Sequence, residues 1–195
     1  VFGRAAEAAE VTGTIVVDGD SLTVSMPAAG DTARITFAGS AGQQLGLGLS
    51  GVTVSSLLVY VYRPDGSQLE WAAVSPSSGE LDFTLPVSGT YEILLDPYLN
   101  ATGSATLTLS EDVVGSIAIG GAATSVSMSR LGQNGRVTFS GSAGQSLGLG
   151  VSAATGSITV YVRESDGSQL AWGSVSSSGG ELDFTLPSAG TYTIF

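Results

Sequence analysis

Apolar and polar residues alternate with a period of two along most of this chain. In the run from Leu45 to Ser50 the leucines Leu45, Leu47 and Leu49 share one face, and Gly46 and Gly48 the other. From Glu80 to Leu85, Leu81, Phe83 and Leu85 point one way while Glu80, Asp82 and Thr84 point the other. Such alternation marks strands with one buried face. Pro64-Asp65-Gly66, Asp166-Gly167, Ser78-Gly79 and Ser88-Gly89 close the runs with turn residues. The pattern predicts strands near 13–18, 21–26, 33–39, 45–50, 56–62, 68–75, 80–86, 90–95 and 104–110, with equivalents in the second half. Only Arg4 to Glu10 reads as helical, or as a simple arm.

The pattern occurs twice. Gly39 to Ser50 (GSAGQQLGLGLS) returns as Gly141 to Ser152 (GSAGQSLGLGVS), 102 residues later. Asp65 to Leu69, Gly79 to Pro86 and Gly89 to Tyr91 return 101 residues later at Asp166 to Leu170, Gly180 to Pro187 and Gly190 to Tyr192. Units of about a hundred residues have the size of an autonomous domain. The chain is therefore expected to be all-β: two tandem antiparallel, jelly-roll-like β-sandwich domains over 13–112 and 113–195, preceded by an arm over 1–12.

Composition narrows the chemistry. The 195 residues include 6 Lys+Arg, every one an arginine, and 17 Asp+Glu, with no His and no Cys, for a formal net charge of -11. No Ser-His-Asp or Cys-His nucleophile, Cys/His zinc site or disulfide framework can be built. Without lysine there is no P-loop and no Schiff base. Six scattered arginines on an acidic chain make a poor partner for a phosphate backbone. No apolar run approaches the ~20 residues of a membrane span, and the first residues carry no signal-type apolar region. A secreted protein would thus be read here in its mature form. No catalytic, cofactor or metal site is expected.

The order of the motifs carries a resemblance. An Arg34-Ile35-Thr36-Phe37 strand is followed by the Ala41-Gly42-Gln43 turn, the Leu45 to Leu49 strand, the Val59 to Gly66 hairpin, Glu80 to Pro86 and Gly89-Thr90-Tyr91. This resembles the bacterial pre-peptidase C-terminal domain and the related tandem β-sandwich repeats of large secreted and surface proteins. It spans nearly all of both repeats. The resemblance implies a jelly-roll-like sandwich, a secreted or cell-surface location and no catalysis. Its members accompany secreted enzymes, sit in surface arrays, or are proposed to bind polysaccharide.

The copies differ in completeness. Past Tyr91 the first continues to a strand in which Ala105, Leu107 and Leu109 alternate, whereas the second lacks this last strand. An unfilled sandwich exposes unpaired backbone and an apolar groove that invite strand addition. Three readings stay open: a strand donated by another chain, a strand supplied within a longer array, or a smaller second sandwich. The natural donor is the N-terminal arm with Val1 and Phe2, and the groove would lie by Ile194 and Phe195.

Positions outside the shared pattern suggest interfaces. The outward residues Leu58, Tyr60 and Tyr62 of the first copy correspond to Thr159, Tyr161 and Arg163 in the second, an apolar stripe facing a polar twin. Tyr60 and Tyr161 are expected to cover the outward glycines of the Leu45 and Leu147 strands, and Trp71 and Trp172 to serve in sandwich packing rather than as carbohydrate platforms. Asp18-Gly19-Asp20 reads as a turn rather than a calcium loop, and Glu80/Asp82 and Glu181/Asp183 as solvent-facing neighbours rather than a catalytic pair. Asn100-Ala101-Thr102 is a glycosylation sequon, placing a glycan on Asn100 if it is used. Two functions are expected to compete: a structural subunit of an extracellular fibre or surface layer, built from copies of the same chain, and a non-catalytic glycan-binding or adhesin module.

Overall fold

A computed structural model describes residues 8–152 and 155–195. The strands are β1 (Glu10–Thr14), β2 (Leu22–Met26), β3 (Thr32–Gly39), β4 (Gln44–Val52), β5 (Leu57–Tyr62), β6 (Gln68–Val74), β7 (Ser77–Thr84), β8 (Gly89–Pro97) and β9 (Gly103–Glu111) in the first half. The second half holds β10 (Val113–Ser116), β11 (Gly135–Gly141), β12 (Ser146–Val151), β13 (Ile158–Arg163), β14 (Gln169–Val175), β15 (Gly180–Thr185) and β16 (Gly190–Ile194). They divide into two units: residues 1–112 with 129–133, and residues 113–128 with 134–195.

In the first unit a five-stranded sheet, β1-β3-β8-β5-β6, faces a four-stranded sheet, β2-β9-β4-β7. The alternation read from sequence supplies the interior. Ile35, Phe37, Val59, Val61 and Ile93 from one sheet meet Leu45, Leu47, Leu49, Leu107 and Leu109 from the other, all fully buried. Phe37 stacks on Tyr91 at 5.3 Å and reaches across the sandwich to Phe83 at 6.3 Å. The second unit repeats this as Phe139 on Tyr192 at 5.4 Å and Phe184 at 6.2 Å. Both units are antiparallel sandwiches apart from one parallel pairing each, β1 with β3 and β10 with β11.

Turn chemistry follows the sequence. Arg63 donates its N–H to the Ser67 carbonyl at 2.8 Å, closing the β5-β6 hairpin, and Gly66 takes a positive φ of 82° that an L side chain would resist. The Asp65 carboxylate accepts from the Ser67 hydroxyl at 2.6 Å and the Ser67 N–H at 2.9 Å. Those two bonds, the hydroxyl's first, hold the Asp65 carboxyl below its ordinary range, and Ser168 does the same for Asp166.

Two expectations shift. The first strand lies at Glu10–Thr14 rather than 13–18, because its parallel pairing with β3 begins at Glu10 opposite Thr32 and the chain turns at Asp18, where φ is 58°. Glu10 therefore belongs to a strand and not to a helix, while Val1, Phe2 and the rest of the helical reading through residue 7 lie outside the described residues. In the second unit the counterpart of β2, residues 124–128, forms no strand. Its partner in the first unit is β9, and no described strand of the second unit takes that place.

Candidate assembly site

β9 is an interior strand of its sheet. It pairs with β2 on one side, Leu107 opposite Leu22, and with β4 on the other, Leu107 opposite Leu49. Ala105, Leu107 and Leu109 drop into the core with no exposed surface. Thr106 and Thr108 face outward and bond Thr23 and Ser21 at 2.9 Å each. At its far end, Asp18 donates its N–H to the Leu109 carbonyl, and Gln43 donates to the Glu111 carboxylate at 3.3 Å.

The second unit holds counterparts of both neighbours of β9, with no strand between them among the described residues. β12 pairs with β15 alone, so its other edge has no ladder partner among the described residues. Leu147, Leu149, Leu182 and Phe184 are half-buried, whereas their counterparts Leu45, Leu47, Leu81 and Phe83 are buried. The contrast is sharpest in residues 124–128, where Met128 is 43% exposed against 0% for Met26. A recess of 720 Å³ in the second unit is lined by Ile117, Ile119, Phe139 and Gln145 among others. Gln145 is the counterpart of Gln43, which in the first unit donates to Glu111 at the end of β9. An apolar slot beside an unpaired strand edge is the physical requirement for strand addition.

The predicted interface residues fall elsewhere. Tyr60 lies on the outward face of the five-stranded sheet, stacked between Tyr62 at 6.2 Å and Trp71 at 6.3 Å. Leu58, Tyr60 and Tyr62 are half-buried there, and Trp71 is 52% exposed. Trp172 stands out in the same way, so both tryptophans correct the expectation of sandwich packing: their register opposite Tyr60 and Tyr161 sets them on the outward face. Tyr60 and Tyr161 do not cover the glycines of β4 and β12 either, because those strands lie in the opposite sheets. Ile194 faces inward and packs against the second core. Phe195 sits between the guanidinium groups of Arg136 at 4.1 Å and Arg163 at 5.0 Å, a cation–π clamp within its own unit.

Asp18, Glu10 and Glu92 are engaged in structural contacts. Asp18 accepts from the Glu111 N–H at 3.1 Å and faces Arg130 at 3.8 Å. Arg34 joins Glu10 at 2.5 Å and also Glu92 on the outer sheet face. Asn100 is exposed in a short 3₁₀ turn, with a positive φ of 57°. Among the described residues no group of three or more acidic side chains could hold a metal ion, and no helix is long and apolar enough to cross a membrane.

The geometry defines a pair of β-sandwich modules, one closed and one open. No family model matches this chain, and a comparison with curated proteins finds no match. Among solved structures, it is similar to the pre-peptidase C-terminal domain of a collagenase from Bacillus anthracis, at 13% identity and TM-score 0.45, over 53% of this chain and 99% of that one. It is also similar to the periplasmic inhibitors of g-type lysozyme, PliG, of Aeromonas hydrophila and Salmonella Typhimurium. Each is 22% identical with TM-score 0.36, over 52% and 51% of this chain and 99% and 97% of theirs.

Proposed function

We propose that this protein is a non-catalytic building block of an extracellular fibre or surface assembly, joined head to tail by insertion of a strand from one copy into the second unit of the next. One observation carries the reading: among the described residues β12 pairs only with β15, and no strand takes the place on its other edge that β9 fills beside β4 in the first unit. The donor is the arm before β1. Val11 opposes Ala33 as Val113 opposes Gly135, so residues 1–9 precede β1 by the same interval at which β9 precedes β10. Inserted in that register, the arm turns Gly3, Ala5 and Glu7 to the positions of Ala105, Leu107 and Leu109.

Electron microscopy and sedimentation of the purified protein test this directly. Filaments are expected, removal of residues 1–9 should abolish them, and a synthetic peptide of Gly103–Glu111 should bind the shortened protein and cap the intact one. Glu7→Leu should strengthen assembly by restoring the apolar side chain that Leu109 supplies in β9. Filaments indifferent to both the deletion and the peptide would refute strand donation.

A second reading is favoured by Trp71 and Trp172, exposed at matching places on both units and in Trp71 stacked on a tyrosine. Flat exposed aromatics suit the faces of sugar rings. Retention in polysaccharide gels that is lost in Trp71→Ala, in a protein that stays monomeric, would favour a glycan-binding module instead.

A further inference from the structure

Gly148 and Gly150 alternate with the core-facing leucines of β12 and point outward, and both are exposed. Neither has a positive φ, so backbone conformation does not require glycine at either place. A side chain at Gly150 would meet nothing within 4 Å, and one at Gly148 only the flexible carboxylates of Glu181 and Asp183. Glycine inside a strand weakens it, and one use it has there is to let another backbone lie flat against the sheet.

The first unit shows that use. Gly46 and Gly48, the counterparts on β4, are buried beneath the turn Ser129–Gln133. A Cβ on Gly46 would overlap the Gly132 carbonyl oxygen, and one on Gly48 would come within 2.6 Å of the Leu131 carbonyl. The turn is fastened on either side: Arg130 donates to the Ser110 hydroxyl at 2.8 Å and to the Gly19 carbonyl, and Gln133 donates to the Glu111 carbonyl at 2.9 Å. Two of these acceptors, Ser110 and Glu111, belong to β9 or its end.

We infer that the Gly148/Gly150 face of β12 is a second docking platform, which receives the turn Pro27 to Asp31 of another copy of this chain. That turn stands before β3 as Ser129–Gln133 stands before β11. It carries a left-handed glycine at the same place, Gly30 with φ 87° against 75° for Gly132, and presents an exposed Ala29 where the docked turn has Leu131. The inference rests on the second copy of the proposed assembly but on a different surface, the outer sheet face rather than the strand slot. The arm and this turn flank β1 and β2, so one neighbour can offer both.

Gly150→Val is the discriminating variant, because it enters open space within its own unit and leaves the edge of β12 intact. It should fold normally and bind the Gly103–Glu111 peptide unchanged, yet weaken assembly about tenfold or more, since a backbone cannot settle over the added methyls. Ala29→Leu should strengthen assembly by recreating Leu131. If both variants assemble as the parent does while deletion of residues 1–9 abolishes assembly, the platform is refuted and strand donation stands. If Gly150→Val weakens assembly while the deletion and the peptide do nothing, strand donation fails and the platform survives. A protein that stays monomeric at every concentration refutes both.

Discussion

Tyr91 and Tyr192 each reach back four residues with their hydroxyls, to the carbonyl of Val87 at 2.6 Å and of Ser188 at 2.8 Å. Each ring is buried in the sandwich while its hydroxyl pins the loop that enters the strand, as tyrosine corners do in other sandwiches. Phenylalanine keeps the ring and strands the carbonyl. Tyr91→Phe and Tyr192→Phe should therefore each cost about 1–3 kcal/mol of stability in urea unfolding with little change in shape. A loss below a few tenths in either variant would show that water replaces the bond. These residues were legible beforehand as the Gly-Thr-Tyr motif of both repeats, although their partner was not, because a carbonyl leaves no mark in a sequence. The tryptophans were misread for a related reason. Period-two alternation gives two faces, and the sheet that supplies Trp71 has aromatic residues on the outer one as well.

At the level of elements, β2 and residues 124–128 make a natural comparison. Leu22–Met26 reads LTVSM and its counterpart TSVSM, nearly the same strand propensity, yet only the first forms a strand. The difference lies in β9, which pairs with β2 in register from Leu22 to Met26. A strand is completed by its neighbour's backbone, not by its own residues. Amide exchange should consequently be slow at the alternate amides of Leu22–Met26 that bond β9 and fast across 124–128, and addition of the Gly103–Glu111 peptide should slow alternate amides of the second set. Equal protection in both segments without peptide would show that 124–128 is paired by other means. Sequence alternation correctly marked Ala105, Leu107 and Leu109 as a last strand of the first copy. It could not show that this last strand is interior to its sheet, between β2 and β4.

For the whole molecule, the two units share a plan and differ in core. The first buries inward residues from eight of its nine strands, Val24, Met26 and Leu107 among them, whereas the second leaves Leu147, Leu149 and Phe184 half-buried. Burying one such side chain fully contributes about 1.5–3 kcal/mol, so the open unit should be the weaker. Calorimetry is expected to give two transitions, the lower one from the second unit. The Gly103–Glu111 peptide should raise that lower transition and leave the upper one in place, since a ligand stabilises only the state that binds it. A single transition unmoved by peptide would mean that the second core is already complete.

The chain's own residues determined the class of fold, the repeat, the turns and the alternation that fills the first core, because alternation and turn chemistry are local properties written in consecutive residues. They also removed the residue types on which most catalytic sites depend, with no His, Lys or Cys. Only the tertiary structure decided the strand order, which sets β9 between β2 and β4, and what the outward glycines face. Strand order and backbone approach join residues such as Gly46 and Gly132 that are far apart in the chain, and a pairing across that distance depends on which surfaces the folded sheets bring together.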